Sequence, residues 1–128
     1  MTYLHTYNEA DYDPAAPVVE VSLGLIKERL ILNLRALVDS GADATIIPVE
    51  YLRQIGAEPG ERTWLRGTAG GRYQTNLYPV YLQIGTYGFY VAVVADPLYQ
   101  EILVGRDILN LLVVTLNGLA NMVEITEL

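Results

Sequence analysis

Apolar and polar residues alternate with a period of two along much of the chain, a pattern typical of half-buried β-strands. The longest alternating run covers residues 30–38, and a shorter one covers 18–24. Lys27 and Glu28 separate these runs at the place where a hairpin would turn. The pattern therefore predicts two antiparallel strands, and the second of them ends directly before Asp39.

Shorter apolar runs continue this pattern downstream, and turn residues separate them. Segment 49–57, which is closed by Gly56, is typical of a short helix or a turn, and segment 108–112 has helical character. The turn residues at 85–88 and 117–118 predict further hairpins. The remaining strands predicted in this way are 63–66, 78–84, 89–95, 102–104, 113–116 and 122–125.

Composition agrees with an all-β fold in a single domain. The chain has 128 residues, enough for one hydrophobic core but not for two, and 52% of them are hydrophobic. Ten tyrosines and many β-branched residues favour strands. Residues 1–16 are polar and acidic, so we predict an N-terminal extension there and one folded domain over 17–128.

Composition also excludes several classes of catalytic site. The chain has no cysteine and a single histidine, His5, which lies in the polar N-terminal segment. A disulfide framework, a Cys/His dyad, a Ser/His/Asp triad and a histidine-based zinc site are therefore ruled out within one chain. We expect no metal and no cofactor, and any catalysis has to rely on carboxylates.

Charge and hydropathy limit the partners. A net charge of −7 speaks against nucleic acid, because its phosphates would be repelled. Residues 1–13 lack the basic stretch and apolar core of a secretory signal. No apolar run approaches the roughly 18 residues needed to cross a bilayer. We therefore expect a soluble cytoplasmic protein without a membrane partner.

Asp39 is the strongest candidate for chemistry. It stands at the end of an apolar strand and is followed by Ser40, Gly41 and small residues. Backbone N–H groups in such a turn can hold the carboxylate while a substrate approaches it closely. The alternative is an ordinary β-turn, since Asp, Ser and Gly are residues that turns prefer. The tripeptide by itself does not decide between the two.

Two longer motifs bear on this choice. The run ALVDSGADATIIP at 36–48 and the run ILVGRDIL at 102–109 resemble the active-site motif and the second hydrophobic-glycine motif of the retroviral-type aspartic proteases, the retropepsins. The resemblance extends over residues 17–117, with both motifs in the right order and spacing. It implies a single-domain closed β-barrel or sandwich with a flap hairpin and one short helix near the C-terminus.

The resemblance also implies the reaction, in which two carboxylates share one proton and activate a water molecule. The sequence holds one Asp-Ser-Gly, and neither Asp43 nor Asp107 is expected to face Asp39. The second carboxylate is therefore expected from Asp39 of an identical subunit. The predicted function is that of a homodimeric aspartic endopeptidase that cleaves a peptide or protein substrate.

By the same resemblance, neighbouring residues receive supporting roles. Ser40 is expected to form hydrogen bonds across the dimer at the base of the site, and Gly41 to offer its carbonyl to the substrate. Ala42 and Asp43 are expected to line the groove. Arg106 is expected to have a structural role as a partner for the Asp43 carboxylate, in preference to direct substrate contact.

A glycine-rich segment follows the predicted strand 63–66 and matches the position of the retropepsin flap, the hairpin that folds over a bound peptide. An ordinary exposed turn is the alternative interpretation. Leu98 and Tyr99 lie where the family has a loop that forms part of the substrate site. The flap residues expected to contact substrate are Gly67, Thr68, Ala69 and Gly70.

Two other interpretations stay open at this point. A retropepsin-like domain can serve dimerisation or peptide binding without catalysis, because a fold does not guarantee activity. An acidic β-barrel without any site is the third. The chain also continues past Asn117 with GLANMVEITEL, beyond the point where viral relatives typically stop. Which segments build the intersubunit sheet is therefore left undecided by the sequence.

Overall fold

The computed structural model describes residues 2–66, 71–98 and 101–126. Within these residues most of the chain is in strands, and two short helices interrupt them. The elements are β1 (Thr2–Thr6), β2 (Val18–Ile26), β3 (Arg29–Val38), β4 (Ile46–Pro48), α1 (Val49–Gln54), β5 (Arg62–Arg66), β6 (Arg72–Ile84), β7 (Tyr87–Asp96), β8 (Leu103–Val104), α2 (Arg106–Leu109), β9 (Val113–Asn117) and β10 (Met122–Thr126).

The larger sheet has seven strands in the order β2-β3-β8-β4-β7-β6-β5. The pairs β2–β3, β6–β7 and β5–β6 are antiparallel hairpins, and β4 pairs with β8 antiparallel, whereas β3 pairs with β8 and β4 with β7 in parallel. An additional antiparallel pairing joins β2 to β6, so strands distant in this order also contact each other. The short β8 thus lies between β3 and β4, which lead into and out of the segment that contains Asp39.

The smaller sheet has the order β1-β10-β9, so β1 and β9 are its edge strands. The Tyr3 hydroxyl accepts a hydrogen bond from the Glu20 N–H (2.9 Å), which ties β1 to β2. Burial raises the pKa of this hydroxyl above its ordinary value. The segment predicted as an extension therefore begins with a strand that packs on the body of the protein.

Residues 8–16 form a loop that returns to the body. Asn8 and Ala16 exchange backbone hydrogen bonds at the base of this loop, at 2.8 and 3.1 Å. The Tyr12 hydroxyl donates to a Glu101 carboxylate oxygen (3.1 Å). Both contacts fix the loop near the segment that enters β8.

The hydrophobic core lies between the two sheets and the helices. The alternating pattern of β2 places Val19, Val21 and Leu23 at zero exposure. In the smaller sheet, Val123 and Ile125 of β10 face the same core and are fully buried. The core therefore joins both sheets into one unit.

The two helices confirm the helical character predicted at 49–57 and 108–112, although α2 begins and ends earlier than expected. Gly56 follows α1 with φ of +76°, a left-handed conformation that glycine adopts without steric cost. Neither described helix has the length and apolar character that a membrane crossing requires. The all-β prediction is confirmed.

Candidate active site

Asp39 stands where the chain leaves β3. Its backbone N–H donates to the Val104 carbonyl of β8 (3.0 Å), which continues the parallel pairing by one more residue. The residue is half-buried, unlike the exposed Ser40 and Gly41 that follow it. The strand thus delivers the carboxylate to the end of the sheet, as the sequence predicted.

The turn after Asp39 holds its carboxylate. The Gly41 N–H donates to Asp39 Oδ1 (2.9 Å), and the Ala42 N–H donates to the Asp39 carbonyl (3.2 Å). A Cβ atom at Gly41 would lie 3.1 Å from the same Oδ1. Glycine at position 41 therefore leaves this side of the carboxylate free of a side chain.

The second motif packs directly against this turn. The Arg106 N–H donates to the Ala42 carbonyl (2.8 Å). A Cβ atom at Gly105 would lie 2.9 Å from that carbonyl oxygen and closer still to the one of Ala44. The two motifs that carry the family resemblance thus contact each other through backbone atoms, and this contact needs a glycine.

A buried network fixes the far end of the turn. Thr45 is fully buried and donates from its hydroxyl to Asp107 Oδ1 (2.7 Å), while its N–H donates to Asp107 Oδ2 (3.0 Å). The Gly105 N–H donates to the Thr45 hydroxyl (3.2 Å). The Ile108 N–H donates to Asp107 Oδ1 (2.9 Å) at the start of α2. Through its hydrogen bonds with Thr45, Asp107 thus fixes the end of the loop 39–45 to the second motif.

Sequence reasoning missed this Thr45–Asp107 pair. It predicted helical character directly after Asp107, over 108–112, but gave Asp107 itself no role. The available signal was a threonine within the apolar end of one motif and an aspartate directly after Gly-Arg in the other. Buried hydroxyl and carboxylate groups need partners, and these two satisfy each other.

Arg106 has a structural contact, but with a different partner from the expected one. Its Nη1 donates to the Ser40 carbonyl (2.8 Å). Within the part of the chain that the structure describes, no ion pair joins it to Asp43. The guanidinium therefore stabilises the turn through its backbone and leaves the Asp43 carboxylate facing the groove.

A groove of about 520 Å³ opens beside this turn. Its walls include three arginines and one aspartate, which is a polar lining for a peptide-sized cleft. Asp39 itself does not line the groove, but Gly41, which donates to its carboxylate, does. The lining comes from the turn (41–44), from Ile46 and Val94, from β5 and β6 (64–66 and Arg72), and from Arg106.

Other predicted residues lie elsewhere. Leu98 is 66% exposed and does not line the groove, and its N–H donates to the buried Asp96 Oδ1 (2.9 Å). Tyr99 lies outside the described residues, as do Gly67, Thr68, Ala69 and Gly70. β5 and β6 nevertheless form the predicted antiparallel hairpin up to the Arg66–Arg72 pair.

The chemistry open to this arrangement is narrow. Among the described residues, no cluster of acidic and histidine side chains is placed to hold a metal ion. The Asp39 carboxylate is held at a strand end by the Gly41 N–H, beside a groove of about 520 Å³. Among the described residues, Asp39 is the carboxylate placed in this way.

One comparison with known proteins shows the family. The family model described as "gag-polyprotein putative aspartyl protease" matches residues 32–111, which include both motifs. The comparison with curated protein sequences gave no match.

Several solved structures share the fold. EIAV protease in complex with the inhibitor HBY-793 is similar with a TM-score of 0.61 at 22% identity, over 83% of this chain and 92% of that one. A retropepsin-like aspartic protease from Rickettsia conorii gives 0.64 at 11% identity, over 97% and 89%. Aspartic proteinase from Irpex lacteus gives 0.61 at 12% identity, over 99% of this chain but 47% of that one. The fold is thus retropepsin-like.

Proposed function

The chain belongs to the family of gag-polyprotein aspartyl proteases, and on this premise we propose that it is a homodimeric aspartic endopeptidase. The observation that carries the proposal is the placement of Asp39. A half-buried carboxylate, held by the Gly41 N–H at the end of a strand, adjoins a groove of peptide size.

In the proposed reaction, the Asp39 carboxylates of two subunits flank one water molecule. Two acids about 3 Å apart cannot both ionise, so one remains protonated. The ionised carboxylate takes a proton from water, and the protonated one donates to the carbonyl oxygen of the scissile peptide. Because the pair has to hold one proton, we expect a pH optimum below neutrality.

The composition of the site supports a second subunit. Each chain offers one Asp39, and this residue stands beside the groove wall instead of within it. A twofold axis near Asp39 would bring two such half-sites together. One copy of this fold also spans 47% of the Irpex lacteus proteinase, which is consistent with a chain that supplies half of a site.

Strand β9 is the best candidate for the dimer interface. It is an edge strand, so its outer backbone groups are available for pairing with a second chain. Val113 and Leu116 on β9 are 39% and 51% exposed, and Leu119 in the adjoining turn is fully exposed. Pairing of β9 with its symmetry mate would bury these side chains and extend the three-stranded sheet across the axis.

The substrate is an extended peptide that lies between the turn at 41–44 and the β5–β6 hairpin. Gly41, Ala42 and Asp43 would contact its backbone, and the hairpin would act as the flap. Ser40 would bond across the dimer near the axis. Substrate binding and flap closure are thus assigned to two different walls of the groove.

The test is Asp39→Asn, which keeps the shape of the side chain but removes its ability to ionise. We expect peptide hydrolysis to fall by about 10²- to 10⁴-fold at mild acidity, with an unchanged far-UV spectrum. Asp43→Asn is the matched control from the same turn, and it should retain measurable turnover. Undiminished cleavage by Asp39→Asn would overturn the assignment.

Mixing the two proteins tests the shared site directly. When parent and Asp39→Asn subunits exchange at equal amounts, about one quarter of the dimers retain two Asp39 residues. Activity per parent subunit should then fall by about half, because a mixed dimer is inactive. Activity proportional to the amount of parent protein would instead show that each chain acts alone, and no activity in the parent would favour a binding module.

A further inference from the structure

Positive charge concentrates at the groove of an otherwise acidic protein. The chain has eight basic residues against fifteen acidic ones, yet Arg66, Arg72 and Arg106 all line the groove. Asp43 is the one acidic residue in the same lining. The residues that line the groove therefore carry a net charge of +2, whereas the whole chain carries −7. The overall composition does not explain this excess of positive charge in the groove.

Two of these arginines face each other across the β5–β6 hairpin. Arg66 and Arg72 are directly paired residues of the antiparallel ladder, and both are exposed. Like charges at directly opposite positions destabilise a sheet. Within the described residues, neither arginine has a carboxylate within 4.0 Å. The hairpin thus carries an unfavourable pair that a bound anion would relieve.

A tryptophan orients one of the hairpin arginines, and the third arginine stands on the opposite wall. Arg72 lies over the Trp64 ring at 4.7 Å, a cation–π contact that limits the positions of its guanidinium. Arg106 uses Nη1 for the Ser40 carbonyl, and a guanidinium has five N–H donors, so this bond does not exhaust it. The groove therefore presents guanidinium groups from both of its walls.

From this arrangement we propose that the groove selects peptides with glutamate or aspartate side chains beside the scissile bond, recognised mainly by Arg66 and Arg72. The inference rests on the proposed function, because it takes the groove to be the substrate site. In the symmetric dimer each subunit supplies one set of arginines, so acidic residues are favoured on both sides of the cleaved bond.

Binding to the Asp39→Asn protein tests this without requiring turnover. The probes are three fluorescein-labelled decapeptide pools that differ only in carrying glutamate, glutamine or lysine at the positions that flank a random central pair. At about pH 5.5 glutamate is ionised. Fluorescence anisotropy should show the glutamate pool binding about 5-fold more tightly than the glutamine pool, and the lysine pool binding most weakly.

Variants assign the preference to the arginines. In the Asp39→Asn background, Arg66→Gln with Arg72→Gln should bring the three pools to equal affinity, and Arg66→Glu with Arg72→Glu should make the lysine pool bind most tightly. Arg62→Gln is the matched control, because Arg62 is exposed on the same strand but does not line the groove. It should leave the order unchanged. Raising salt to about 0.5 M should reduce the preference in the unaltered groove.

The outcomes separate this inference from the proposed enzyme. Equal binding of the glutamate and glutamine pools, or a preference that survives the double glutamine variant, would overturn the inference. Failure of the parent protein to cleave any pool would overturn the endopeptidase proposal, while the order of binding would still decide whether the groove selects acids.

Discussion

The two walls of the groove are held in different ways. The loop that we propose to be catalytic, residues 39–45 (the catalytic loop), is fixed to the second motif by the buried Thr45–Asp107 pair and by backbone hydrogen bonds to Val104 and Arg106. The outer part of the β5–β6 hairpin, residues 64–66 and 71–73, is held by pairing between its own two strands and by the Tyr73 hydroxyl, which donates to the buried Asp96 Oδ1 (3.2 Å). A buried network thus fixes one wall, whereas the other wall carries the exposed side chains of Trp64, Arg66 and Arg72.

This difference matches two requirements of the proposed protease. In the proposed dimer, a proton-sharing pair of carboxylates tolerates little displacement, so its loop has to be positioned by buried side chains. A wall that contacts a variable substrate has to open and can be recognised through exposed side chains such as Trp64 and Arg66. We therefore expect substitutions in the catalytic loop to reduce stability, and substitutions in the hairpin to change binding.

The largest expected loss of stability comes from Gly105→Ala. The added Cβ would collide with the carbonyl oxygens of Ala42 and Ala44, and these backbone atoms cannot move without displacing the catalytic loop. We expect the free energy of unfolding to fall by about 3 kcal/mol, measured by urea denaturation followed by circular dichroism.

Gly71→Ala in the hairpin is the matched control. A Cβ there has no neighbour within 4 Å among the described residues, so we expect a change of less than about 1 kcal/mol. Similar losses at Gly71 and Gly105 would contradict the distinction between the two walls.

A smaller loss is expected from Thr45→Val, which preserves the shape of the side chain but removes its hydroxyl. The Asp107 carboxylate loses a donor and the Gly105 N–H loses an acceptor, both in a buried setting. We expect a loss of about 2 kcal/mol. Thr45→Ser keeps the hydroxyl and should cost only about 1 kcal/mol for the missing methyl group. If serine were as destabilising as valine, packing rather than the hydrogen bonds would position the loop.

The sequence predicted strand β3 and the position of Asp39 at its end well because the signals for them are local. Alternation over 30–38 defines β3, and the end of that alternation places Asp39 at the edge of the sheet. The strand β1 was not predicted, since its core-facing residues are Tyr3 and His5 while the apolar Leu4 is 57% exposed. In β1 two side chains with polar groups face the core and the apolar one faces solvent. From its composition alone, such a strand cannot be told from a polar extension.

Long-range partners were beyond the reach of the sequence for a different reason. Thr45 and Asp107 are 62 residues apart, and nothing in either motif states which polar groups will meet in the core. Arg106 was expected to contact the Asp43 carboxylate, but it contacts a backbone carbonyl instead. Because every residue has a backbone carbonyl, the sequence does not indicate which carbonyl a side chain will contact.

The smallest effect on stability is expected from Trp64→Ala in the hairpin. Trp64 is 53% exposed, and its described ring contact is with Arg72. An exposed cation–π contact contributes about 0.5–1 kcal/mol, so the urea midpoint should change little. KM for peptide substrates should nevertheless rise, because the groove loses an aromatic wall and Arg72 loses the ring that orients it.

Trp64→Phe keeps an aromatic ring and should restore most of the affinity, which distinguishes recognition by the ring from a general loosening of the hairpin. Stability measurements on the same two variants complete the comparison of the walls. If Trp64→Ala destabilised the protein as strongly as Thr45→Val, the hairpin would have to be part of the cooperative core. Its exposed arginines would then be constrained by folding, and substrate selection could not vary independently of the catalytic loop.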